Sequence, residues 1–72
     1  MAQIKPGAKV LARNAFGMLM EKRACTGVER GHTFPVVYVC SEVEWMRARL
    51  DGREPESVAW PAEDVKAAEA AP

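Results

Sequence analysis

Phe34-Pro35-Val36-Val37-Tyr38-Val39-Cys40 runs directly into Ser41-Glu42-Val43-Glu44-Trp45-Met46-Arg47-Ala48-Arg49-Leu50-Asp51-Gly52, and the change of pattern at Ser41 decides the fold. The first segment is rich in β-branched and aromatic residues, which fit a pleated surface. It is apolar at both parities, so one face should line a core and the other should be covered. Pro35 has no N–H for a ladder and belongs at the strand's start or on an open edge. Ser41 followed by Glu44 is a capping-box pattern and Gly52 is a stop, which together predict a helix over residues 42–51. Val43, Met46 and Leu50 share one face at helical spacing and are expected to cover the sheet, leaving Glu42, Arg49 and Asp51 toward solvent. So short a helix is marginal alone and must be held by tertiary packing.

Upstream, Pro6-Gly7 signals a turn, and Ala8 to Arg13 reads as a strand with Val10 and Ala12 on one side and Lys9, Leu11 and Arg13 on the other. Asn14-Ala15-Phe16-Gly17 interrupts it, leaving Phe16 at a loop tip or folded beneath it. Leu19 to Glu29 alternates, with Met20, Ala24, Thr26 and Val28 on the apolar parity and Lys22 breaking it. Arg30-Gly31-His32-Thr33 then connects this strand to Phe34–Cys40 as a hairpin. Downstream of the helix, Ser57 to Pro61 reads as a short strand, Ala62-Glu63-Asp64 as a tight turn, and Val65 as the start of a last strand. The expected architecture is mainly β, a small antiparallel barrel of about five strands with one inserted helix. Its boundaries are a flexible N-terminus over 1–5, a single domain over 6–66 and a flexible tail over 67–72.

A chain of 72 residues forms one unit that buries only about 60% of the surface exposed when unfolded. Lys and Arg together number 10, as do Asp and Glu, so the excess of positive charge that nonspecific nucleic-acid binding needs is missing. Arg13, Arg23, Arg30, Arg47, Arg49 and Arg53 are interleaved with glutamates, as on a solvated face. No apolar run approaches the roughly 20 residues that span a bilayer, so membrane partners are not expected. Cys25 and Cys40 lie in apolar segments, diagonal to one another if the hairpin turns near Gly31, and reduced thiols in a cytoplasmic setting are expected.

Val58-Ala59-Trp60-Pro61-Ala62-Glu63-Asp64-Val65 resembles the end of SH3-like barrels, which close with a short strand, a proline, one 3₁₀ turn and a valine opening the last strand. Pro6-Gly7-Ala8-Lys9-Val10 resembles the start of KOW, Tudor and related barrels. The resemblance covers roughly residues 6–66 and implies an SH3-like domain. Asn14-Ala15-Phe16-Gly17 and Asp64 stand where peptide-binding SH3 domains carry aromatic residues and a tyrosine, so a proline-rich ligand is not implied. Phe34-Pro35-Val36-Val37 and Trp60–Val65 are also similar to small uncharacterised proteins of actinobacteria and their phages, which implies an accessory or host-interaction protein.

No catalytic constellation is visible. His32 is the only histidine and sits in a predicted turn; a catalytic cysteine needs a base within reach and an orienting third group. Cys25, His32 and Cys40 lack the close paired spacing of zinc ligands. The expectation is therefore a non-enzymatic module without metal or cofactor, whose partner-binding residues are Phe16, Tyr38, Trp45 and Arg49. Trp60 is expected at the core or its edge, whereas Trp45 could lid the sheet or protrude. The partner would be another protein or a second copy of the chain, and the alternative is nucleic acid held by a KOW- or Tudor-like barrel.

Overall fold

The computed structural model describes residues 4–68. Its elements are β1 (Lys9–Arg13), β2 (Leu19–Glu29), β3 (Val36–Cys40), α1 (Glu42–Asp51), β4 (Val58–Pro61), a 3₁₀ turn (Ala62–Asp64) and β5 (Val65–Ala67). The fold is mainly β: five antiparallel strands form one sheet in the order β4-β3-β2-β1-β5, with one short helix.

Strand β2 organises the sheet, because its first half pairs with β1, from Lys9 opposite Arg23 to Arg13 opposite Leu19, and its second half pairs with β3. Between Ala24 opposite Val39 and Val28 opposite Val37 the register slips, so three residues of β2 stand against Tyr38 alone. Such a bulge bends and twists the strand. Thr26 stabilises it, accepting from the Tyr38 amide at 3.3 Å while donating to the Gly27 carbonyl at 2.8 Å.

The two edges of the sheet stay unpaired: among the described residues no ladder joins β4 to β5. In place of the expected closed barrel, one side-chain bond links β4 to the end of β1, and the β3–β4 ladder extends by one further bond. The Trp60 indole N–H on β4 donates to the Arg13 carbonyl at the end of β1, 2.8 Å away, and the Ala62 amide donates to the Pro35 carbonyl at 2.9 Å.

Val10, Ala12, Ala24, Val37, Val39 and Val65 form the core, with Ile4, Trp60 and Ala62 packed against it. Val10 and Ala12 are the inward residues of β1, as their alternation predicts. Ile4 packs against the core although the sequence places it in the N-terminal tail. Ala67 pairs with Val10 beyond the expected domain end at residue 66. The flexibility expected of residues 1–3 and 69–72 concerns residues outside the described range. Of the apolar parity in β2 only Ala24 is buried; Met20 and Val28 are exposed. Each end of β2 has a neighbouring strand on one side only, so neither residue is enclosed.

The helix begins and ends as its signals predict. Ser41 Oγ accepts from the Glu44 amide at 3.0 Å, and Gly52 adopts φ +67° with its amide directed at the Ala48 and Arg49 carbonyls. Its orientation is a correction to the sequence reading. Val43, Met46 and Leu50 face solvent, while Ala48 is buried and Glu44 and Trp45 are half-buried. No loop separates β3 from α1, so the direction in which the chain leaves Cys40 sets the helix phase. Two ion pairs then hold it, Arg23 to Glu42 at 2.9 Å and Arg53 to Glu44 at 2.6 Å.

Candidate functional site

The core consists of small side chains, and its largest fully buried members are Val10, Val37 and Val39. Both phenylalanines, Phe16 and Phe34, are exposed, as are Met18, Met20 and Met46, together with Leu19 and Leu50. Scattered exposed apolar residues are ordinary, whereas a contiguous group of them is a candidate contact surface. Among the described residues, two such groups are the outward face of α1 and the tip of the β1–β2 hairpin.

The first is the outward face of α1. Taking 100° per residue, the helix positions place Val43, Met46 and Leu50 along the centre of the solvent side, with Arg47 flanking them on one side and Arg49 on the other. Beside this stripe a shallow groove of about 300 Å³ is lined by Arg23, Glu42, Trp45, Met46, Arg49 and Leu50. Trp45 forms its floor toward the sheet: a Cβ at Gly7 would lie 3.3 Å from the indole Cζ2. Gly7 is a glycine by necessity twice over, since it has φ +88° and this ring against it. The Gly7 amide donates to the Ala24 carbonyl at 2.7 Å, and its own carbonyl accepts from Arg23 Nη1 at 2.6 Å. The Pro6-Gly7 turn, β2 and the helix are thereby locked together around Trp45.

Charge on this surface is unevenly satisfied. Arg23 holds the Glu42 carboxyl below the ordinary carboxylate range by hydrogen bonding. Arg53 does the same for Glu44, helped by the Glu56 amide, and also pairs with Asp51 at 3.3 Å. Every carboxylate of α1 thus faces a guanidinium. Arg47 and Arg49 have no ion-pair partner among the described residues.

The second group is the tip of the β1–β2 hairpin, where Ala15 to Met20 are all exposed. Asn14 Oδ1 accepts from the Phe16 and Met18 amides at 2.9 and 3.0 Å, and Gly17 takes φ +81°. This Asx-type turn holds Phe16 outward, 89% exposed. The tip lies at the far end of the five-residue ladder from the Lys9–Arg23 pair, about 15 Å by strand rise.

Of the four residues expected to bind a partner, Trp45 and Arg49 therefore meet in one groove. Phe16 lies at the opposite end of the hairpin, and Tyr38 sits on the outer face of β3, lining a shallow depression with Arg30, Gly31 and His32. Of the pattern that sequence reasoning assigned to the core, Met46 and Leu50 line the groove with Trp45, and Val43 lies further round the exposed face. Its helical spacing showed that the three share a face but could not show which way that face points.

The two cysteines are free and lie diagonally across the β2–β3 ladder, Cys40 opposite Arg23 and Cys25 two residues further along β2. Burial, reinforced by a hydrogen bond to the Cys40 thiol, pushes the Cys25 thiol up to about 12. A thiol in that condition is protonated at neutral pH and is a poor nucleophile. Among the described residues no three potential metal ligands converge and no helix is long and apolar enough to cross a membrane. No protein-family model, curated protein or solved structure matches the chain.

Proposed function

We propose that this chain is a non-enzymatic protein-interaction module of SH3-like type, which binds its partner through the outward face of α1 and the groove beside Trp45. The carrying observation is the inversion of side-chain size: valines and alanines fill the core, while Phe, Met and Leu remain on the surface. Support for the SH3-like relationship comes from the closing segment, in which β4 ends at Pro61, one 3₁₀ turn follows and Val65 opens β5. The same reading casts the protein as an accessory factor acting on a partner protein, in a bacterial or phage setting. The balance of ten basic against ten acidic side chains weighs against the alternative of phosphate binding.

The test compares affinity capture from a native extract by the wild-type chain, Leu50→Asp and Phe16→Asp. Both positions are exposed, so the variants keep the fold. A partner lost with Leu50→Asp and retained with Phe16→Asp supports the reading; retention by Leu50→Asp removes it. Salt-titrated binding to DNA and RNA checks the alternative, since phosphate contacts weaken steeply as salt rises.

A further inference from the structure

We infer that the partner element seated on α1 is an acidic amphipathic helix, whose apolar anchors meet Val43, Met46 and Leu50 and whose carboxylates meet Arg47 and Arg49. This rests on the proposed interaction surface and adds the chemistry of what occupies it. The apolar stripe runs i, i+3, i+7 along ten residues of helix, a ridge of the kind that packs into the grooves of a second helix. The flanks of the stripe decide the sign of the partner. Glu42 pairs with Arg23 while Glu44 and Asp51 share Arg53; with Arg47 and Arg49 added, four guanidiniums face three carboxylates and the surface of α1 is net positive.

A second copy of the chain is a poor occupant. Antiparallel pairing about the helix midpoint would set Val43 against Leu50 but would also bring Arg47 close to Arg47 of the other copy, a like-charge contact with no free carboxylate on α1 to relieve it. A flat anionic lipid surface would meet the arginines but would leave the concave groove between Trp45, Met46 and Leu50 without a side chain to fill it.

Three labelled 18-residue helical peptides test this, identical along an apolar i, i+3, i+7 stripe and carrying Glu, Gln or Lys on both flanks. Binding to the full chain is read by fluorescence anisotropy. The Glu peptide should bind about tenfold more tightly than the Gln peptide, since a few exposed ion pairs of about 0.2 to 1 kcal/mol each sum to that ratio. The Lys peptide should not bind, and Arg47→Glu with Arg49→Glu should reverse the order. Equal binding of the Glu and Gln peptides, abolished by Leu50→Asp, overturns the acidic partner and leaves the interaction surface standing. Binding of no peptide, or binding indifferent to Leu50→Asp, overturns both. Binding of phosphatidylglycerol vesicles in place of peptide, or a dimer in sedimentation that Leu50→Asp dissociates, overturns the acidic helix as the occupant.

Discussion

Exchanging the two faces of α1 gives the most direct test of the fold. Leu50 is 86% exposed and Ala48 only 1%, although by pattern alone Leu50 belongs to the packing face. Were Leu50 buried, truncation to alanine would cost about 2 to 5 kcal/mol through lost transfer energy and a cavity. At its observed exposure little apolar area returns to water and the change should stay within about 0.5 kcal/mol. Val43→Ala should even stabilise by up to about 0.5 kcal/mol, since alanine is the better helix former and nothing packs on that side. Ala48→Leu is the reverse case: three extra carbons enter a site closed by the sheet, at about 1 to 3 kcal/mol. For a domain of this length each kcal/mol moves Tm by roughly 4 to 8 °C, so the two positions separate clearly. Urea denaturation followed by circular dichroism gives both stabilities, and an unchanged m-value keeps the comparison two-state. A Leu50→Ala loss above 2 kcal/mol with Ala48→Leu tolerated would mean that the helix is rotated by half a turn, and the proposed contact surface would vanish with it.

Further outcomes follow from other contacts. Trp60→Phe removes the indole hydrogen bond to the Arg13 carbonyl that ties β4 to the end of β1, and should cost about 0.5 to 1.5 kcal/mol; faster amide exchange in β4 than in β3 would be the local signature, and no change in either would contradict the tie. Gly31→Ala places a Cβ against the Phe34 carbonyl and the Val36 side chain. Chemical denaturation should show a loss of about 1 to 3 kcal/mol, whereas wild-type stability would show that the loop is not so tightly drawn. Glu42 and Glu44 have folded-state pKa values below their ordinary 4.5, so their contribution is present above that pH and is lost as pH falls beneath it. The acid limb of the stability profile should flatten in the double variant Glu42→Gln, Glu44→Gln, and an identical limb would show the pairs to be inert. Cys25, raised from 9.0 to about 12, should alkylate with iodoacetamide at pH 8 far more slowly than a free thiol, and its contribution to stability should be lost as pH climbs from 9.0 toward 12; labelling at the free-thiol rate would contradict the raised value.

Local chemistry determined much of this protein. Alternation placed Val10 and Ala12 inward, Leu19 to Glu29 along one strand, and the bounds of the helix between Ser41 and Gly52, because each rests on signals within a few residues: side-chain parity, a capping hydroxyl, a glycine that takes positive φ. Pro61, the turn after it and Val65 likewise sit where their own preferences put them. What only tertiary structure decided was direction. A helical stripe such as Val43, Met46 and Leu50 is equally apolar whether it faces sheet or water. The choice came from the loopless exit at Cys40, from Arg23 and Arg53 reaching Glu42 and Glu44, and from Gly7 leaving room for Trp45. Those partners lie 9 to 38 residues away from the groups they meet, and the repeating pattern of the helix carries no trace of them.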